Sequence, residues 1–237
     1  MTQNPADLPA LARSDAPAID DGGGPRQGQR KPDPHQIMIA ARATLIPEAE
    51  SGLWSVKRCF LPRAVFVPKM GWVPTGTWTT LFRWTLSTLN QKFGEGVMND
   101  TPNELKTHLQ FMMQARGRVL VTGLGLGCVV RGLLANPRVD HVVVIEREID
   151  VLKLVGPSLA GPRVTIIQAD ALTWVKKAPR RFDCAYHDLW TETDEGEPDL
   201  QIVHLDLINA CRRTVPMQFA WKFPRELRRL CRDCGVI

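Results

Sequence analysis

"RVLVTGLGLGCVVRGLL", Arg118 to Leu134, is the stretch whose reading decides the fold. A short apolar run, Val119–Thr122, enters Gly123, Gly125 and Gly127 on alternate positions, and an apolar helix-like run from Cys128 to Ala135 follows at once. Glycine tolerates positive φ and lets the backbone approach another group closely. A helix N-terminus presents unpaired N–H groups. A strand, a glycine turn and a helix in immediate succession therefore predict a βα unit with a ligand-facing turn.

The same alternation continues outward. Strands are predicted at His141–Glu146, Val164–Gln168 and Phe182–His187, with a last one over Met217–Lys222. Helices are predicted at Ile149–Leu154, Ala171–Lys176 and Leu200–Arg212. The strands are continuous apolar runs, as expected where both sheet faces are covered. Such a βαβ series predicts an α/β fold with a doubly wound, mostly parallel sheet. Just upstream, "TPNELKTHLQFMMQAR" (101–116) predicts a helix. Thr101 is its N-cap, Pro102 its first position and Glu104 the third residue beyond the cap. Leu105, Leu109, Met112 and Met113 recur at helical spacing.

The N-terminal part differs in composition. Residues 1–36 are rich in Pro, Gly, Asp and Gln and predict a disordered tail. Residues 37–97 are dense in Trp, Val, Phe and Thr, punctuated by Pro and Gly. They predict a small antiparallel β-rich N-terminal unit of two to four strands. Four of the seven tryptophans, Trp54, Trp72, Trp78 and Trp84, lie there, as sheet-packing residues or as part of a pocket wall. Residues 98–237 form the remaining unit.

Composition sets further bounds. The 237 residues are 44% hydrophobic, enough for a sizeable core, and the net charge is +5. The basic C-terminal segment from Cys211, with seven basic and two acidic residues, predicts a terminal helix with arginines opposite Leu227, Leu230, Cys231 and Cys234. It raises nucleic-acid contact as a minor alternative to a solvated face, since aromatic interleaving is thin. No window reaches the ~20 apolar residues of a membrane span. The N-terminus lacks a secretory pattern. The expectation is a cytoplasmic protein without membrane contact. Of six cysteines, Cys128 and Cys184 sit in apolar runs as small buried residues. Cys231 and Cys234 form a lone CxxC without two further ligands nearby, so no metal is expected.

Acids close the strands that follow the glycine turn. Glu146 ends the second strand, 23 residues after Gly123, where a carboxylate can accept both ribose hydroxyls. Asp170 ends the third, placed to accept from an adenine amino group, with the Ala171 N–H facing a ring nitrogen. Asp188 ends the fourth. A lone acid at such a place is often only a helix cap; three after a glycine turn point to a nucleoside cofactor. A nicotinamide fingerprint asks for Gly or Ala where Cys128 stands.

With these residues in place, the segment from about Gly96 to Asp194 resembles class I S-adenosylmethionine-dependent methyltransferases, most closely their spermidine synthase-like branch. "VMNDTPNELKTHLQFMMQARGRVLVTGLGLGCVVRGLLANPRVDHVVVIEREIDVLKLV" (97–155) carries the likeness. The resemblance implies a Rossmann-like domain behind a small β-rich unit, and S-adenosylmethionine or its decarboxylated form as cofactor. It implies that Gly123, Gly125 and Gly127 hold the methionine part, Glu146 the ribose, Asp170 and Ala171 the adenine. Asp188 falls at the position of the general base that deprotonates an amine nucleophile. The region of Asp100, Glu104 and His108 would face the cofactor, Glu104 foremost.

Two departures bear on the reaction. Spermidine synthases usually carry an Asp where Leu126 stands, and a second Asp where Thr191 stands. Glu192, Asp194 and Glu195 are the nearby acids that could replace it, or simply a solvated loop. Methyl transfer to a small or amine-bearing acceptor is therefore expected ahead of polyamine-forming aminopropyl transfer. The alternative is a non-catalytic cofactor-binding or protein-interaction module that kept the fold. His187 neighbours Asp188 in a strand, so the two face opposite ways and His187 is expected to pack. Trp190 is either a cover for the ligand or a core residue. The sheet is either short or completed by a partner chain in a homo-oligomer.

Overall fold

The computed structural model describes residues 30–67, 71–86, 92–177, 182–189 and 197–221. Five parallel strands form its central sheet: β7 (Gly117–Thr122), β8 (Val139–Glu146), β9 (Val164–Gln168), β10 (Cys184–His187) and β11 (Met217–Ala220). Their order is β11-β10-β7-β8-β9. Helices α3 (Cys128–Ala135), α4 (Ile149–Val155), α5 (Ala171–Lys177) and α6 (Glu197–Cys211) connect them. This is the doubly wound, Rossmann-like α/β arrangement expected.

Residue alternation along the strands builds two cores. Val119 and Val121 of β7, Val142 and Val144 of β8, and Cys184 and Tyr186 of β10 face one side. There they meet Leu105, Phe111 and Met112 of α2 (Pro102–Gln114), with Val130 and Leu133 of α3. Leu120, Val143, Ile145 and Ala185 face the other side, against Val175 of α5 and Leu207 and Cys211 of α6. Period-two alternation with apolar residues at both phases leaves neither face to water. Burying one such Leu or Ile contributes about 2–3 kcal/mol. Helix α2 begins as its sequence predicts: the Glu104 N–H donates to Thr101 Oγ1 at 3.4 Å, and Pro102 occupies the first turn.

An antiparallel sheet, β1-β2-β5-β6, lies ahead of α2. It comprises β1 (Ala49–Ser51), β2 (Trp54–Leu61), β5 (Gly76–Leu86) and β6 (Lys92–Asn99). Strands β3 (Val65–Val67) and β4 (Gly71–Val73) pair separately as a hairpin. Among the described residues this sheet has four strands, and the β3–β4 hairpin adds a pair that the sequence reading did not separate.

A second correction concerns α1 (Pro34–Ala40), a helix where only tail and β composition were read. Asp33 caps it, its Oδ1 accepting the His35 N–H at 2.8 Å, and Pro34 starts it. Ile37 is fully buried where α1 packs on α2 and α3. Seven residues are too few for a periodic signal.

Asp100 joins the parts. It is completely buried and accepts from Arg42 Nε (2.8 Å), Ala43 N–H (3.0 Å) and Thr79 N–H (2.7 Å). One carboxylate therefore fixes the end of α1, strand β5 and the start of α2. It does not face the ligand edge, contrary to the expectation for its region. Strand β10 starts at Cys184 rather than Phe182, and β11 stops at Ala220. Residues 1–29, Trp190, Thr191, Glu192, Asp194, Glu195, Lys222 and the predicted basic helix with Leu227, Leu230, Cys231 and Cys234 lie outside the described residues.

Candidate functional site

From β7 the chain steps one way to β8 and β9, then crosses back from β9 to place β10 and β11 on the other side of β7. The switch point lies between β7 and β10, where open α/β sheets leave a crevice beyond the strands' carboxyl ends. Gly123 follows β7 and Asp188 follows β10, so both stand at this crevice.

The turn has a defined shape. Gly123, Gly125 and Gly127 have φ of +92°, +49° and +71°. The Gly123 N–H donates to the Ile145 carbonyl at 2.9 Å and the Gly127 N–H to the Leu124 carbonyl at 2.8 Å. Arg131, buried in α3, braces the turn from behind: Nη1 donates to the Leu126 carbonyl at 2.5 Å and Nη2 to Ser158 Oγ at 2.6 Å. Gly127 caps α3 and packs toward Leu159 and Arg131, away from the crevice. Its glycine is required by helix entry.

Glu146 is tied to the same turn. Its Oε2 accepts the Leu124 N–H at 2.7 Å and its Oε1 the Glu148 N–H at 2.8 Å. Burial pushes its carboxyl above the ordinary carboxylate range, and the backbone donors oppose that shift. Each oxygen keeps a second lone pair for a hydroxyl. Asp170 is exposed and caps α5, Oδ1 accepting the Thr173 N–H at 2.8 Å. Hydrogen bonds from Thr173 hold its carboxyl below the usual range. The Asp188 N–H donates to the Thr122 carbonyl at 2.8 Å, continuing the ladder one residue past β10.

These residues converge on one cavity of about 570 Å³. Gly123, Gly125, Glu146, Asp170, Ala171, Asp188 and Glu104 all line it. Its opposite wall comes from the antiparallel sheet: Trp54, Leu81, Arg83, Val97 and Met98. Met98 Sδ receives the Leu126 N–H at 3.3 Å, so this sheet touches the glycine turn itself. The Arg83 guanidinium lies 5.9 Å from the Trp54 ring centre. Arg147, Leu189, Val203 and Trp221 contribute further lining.

Sequence reasoning missed most of this second wall. Its only signal was tryptophan density, and of the four tryptophans Trp54 alone lines the cavity. Trp78 is core, Trp84 binds Ser55 Oγ through Nε1 at 2.8 Å, and Trp72 is 66% exposed. His187 packs as expected, fully buried between Thr122 Oγ1 (3.0 Å) and Gln218 Oε1 (3.1 Å). His108 is buried one turn beyond Glu104. Among the described residues, no cluster of three or more His, Cys, Asp or Glu is arranged to hold a metal ion. No described helix is long and apolar enough to cross a membrane.

No family model matches the chain. Polyamine aminopropyltransferase 2 of Ralstonia nicotianae is 35% identical over 81 residues, covering 30% of this chain and 16% of the relative. Polyamine aminopropyltransferase 1 of the same organism is 35% identical over 81 residues, covering 30% of this chain and 15% of its own. The match therefore spans about a sixth of these relatives' length. Among solved structures, spermidine synthase from Thermotoga maritima shares 18% identity with a TM-score of 0.39, covering 72% of this chain and 52% of its own. The chain is similar to these proteins.

Proposed function

We propose that the cavity binds a sulfonium nucleoside, S-adenosylmethionine, and that the chain is a transferase acting on a small or amine-bearing acceptor. The observation that carries this reading is convergence. The glycine turn, Glu146, Asp170, Ala171 and Asp188 come from four separate strand ends, yet line one cavity at the switch point. The missing side chains at Gly123 and Gly125 let the Asp188 carbonyl and Met98 Sδ close on the turn, and the cavity volume lies in the usual range for a small-molecule pocket.

When bound, this cofactor supplies an alkyl group already activated for transfer on its sulfonium. The protein's part is to hold, align and dry the site. Glu146 accepts the ribose hydroxyls. Asp170 and the Ala171 N–H bracket the adenine edge. Asp188, at the other side of the switch point, accepts the proton that an amine nucleophile must lose.

Methyl transfer is favoured over aminopropyl transfer. Leu126, fully buried, occupies the turn position where the resembling aminopropyltransferases carry a carboxylate. The Arg83 guanidinium lines the cavity, which suits a polycationic amine poorly. A cytoplasmic setting accords with free Cys59, Cys128, Cys184 and Cys211.

Calorimetric titration with S-adenosylmethionine, its decarboxylated form, S-adenosylhomocysteine and NAD tests the reading. Micromolar binding of S-adenosylmethionine and S-adenosylhomocysteine is expected, with turnover lost and binding kept in Asp188→Asn. Preference for the decarboxylated form would restore aminopropyl transfer. Absence of heat with every adenosyl ligand, in a folded sample, would refute the cofactor assignment.

A further inference from the structure

A buried polar chain that the steps above do not use meets the cavity at Glu104. Tyr186 of β10 and His108 of α2 are both almost fully buried, and the Tyr186 hydroxyl lies 2.7 Å from His108 Nδ1. His108 Nε2 is buried without a hydrogen-bond partner. Glu104 Oε1 lies 3.9 Å from it, one helical turn back. Glu104 also lines the cavity.

The proton positions follow from burial. A buried phenol stays protonated, because its anion would have to be desolvated. The same cost keeps the His108 ring neutral. A neutral imidazole has one donor and one acceptor nitrogen. With Tyr186 donating to Nδ1, the imidazole proton sits on Nε2 and faces Glu104. A buried N–H without an acceptor costs about 1–3 kcal/mol, which a shift of Glu104 by about 1 Å would recover.

Resting on the adenosyl-cofactor reading, we propose that Glu104 receives the cationic amino group of the cofactor's amino-acid tail. In this proposal His108, set in its tautomer by Tyr186, is the positioning residue for that carboxylate. Glu104 lines the same cavity as Gly123 and Gly125, the backbone expected to hold that tail. The adenine and ribose contacts proposed above come from the ends of β8 and β9, whereas this chain of groups comes from α2 and β10.

The test compares two nucleosides. S-adenosylhomocysteine carries the amino-acid tail; 5′-methylthioadenosine lacks it. Calorimetry on the full chain should show His108→Leu and Tyr186→Phe weakening S-adenosylhomocysteine roughly ten-fold, the scale of a hydrogen bond to a charged group. Affinity for 5′-methylthioadenosine should stay within about two-fold. Glu104→Gln should lose as much, and adding His108→Leu to it should cost nothing further. His108→Gln, which can present an amide N–H, should recover most of the affinity. Equal losses for both nucleosides, or no loss in His108→Leu and Tyr186→Phe, would overturn the proposal. A wild-type protein that binds 5′-methylthioadenosine but not the tailed ligand would overturn it while sparing the nucleoside site. Binding of neither would overturn both.

Discussion

Replacing Gly123 by alanine puts the glycine turn to a quantitative test. At φ +92° an L-residue is strained by about 1–2 kcal/mol. The added Cβ would also stand 1.9 Å from the Asp188 carbonyl oxygen, a backbone atom. Carbon–oxygen approach is comfortable at about 3.3 Å, so one strand end must move by roughly 1.4 Å. That movement breaks the Gly123 N–H to Ile145 bond (2.9 Å), the Asp188 N–H to Thr122 bond (2.8 Å), or both. Each contributes about 1 kcal/mol net. The expected loss is therefore about 3 kcal/mol. In urea, with a slope of about 2 kcal/mol/M, the midpoint should fall by roughly 1.5 M at unchanged slope. Gly161→Ala is the control: no atom lies within 4 Å of its added Cβ, and it should change stability by less than about 0.5 kcal/mol. A Gly123→Ala midpoint indistinguishable from that control would refute the claim that this turn is held tightly between β7 and β10.

Asp100→Ala removes the acceptor of three donors and should cost about 3–5 kcal/mol in the same assay, with Asp100→Asn costing less because one acceptor oxygen remains. Burial lowers both His108 and His204 to about 4 from 6.5. The unfolded chain therefore binds their protons first. Stability is complete above about pH 6.5 and falls as pH drops toward 4, by about 3 kcal/mol per histidine. His204 Nε2 accepts the Leu189 N–H at 3.2 Å, so His204→Gln should flatten that acid limb in pH-dependent urea titrations. Glu146→Gln should weaken every adenosyl ligand by about ten-fold or more in calorimetry, tail or no tail, because the ribose contact is common to all.

The parallel sheet was legible because its strands carry apolar residues at both phases. Val119 and Leu120 face opposite cores, and no other arrangement buries both. The acids at Glu146, Asp170 and Asp188 were legible because each ends a strand, where topology alone brings them to one edge. The cavity's other wall was not. Trp54, Leu81, Arg83 and Met98 reach the glycine turn only through docking of one sheet on the other, which leaves no local pattern. Helix α1 hides a single buried anchor, Ile37, among seven residues. Gly127 looked like its two neighbours in sequence, yet its left-handed backbone serves helix entry. Asp100 read as one more acid near the ligand edge, because nothing local announces three donors converging from distant segments.

Those three donors have a kinetic corollary. Since Asp100 clasps the Ala43 and Thr79 amides to the root of α2, the sheet roofing the cavity has no hinge at that corner. A ligand's arrival should therefore leave that corner of the sheet standing. The same two amides should be among the last to trade their protons for deuterium, whether the cavity is filled or not.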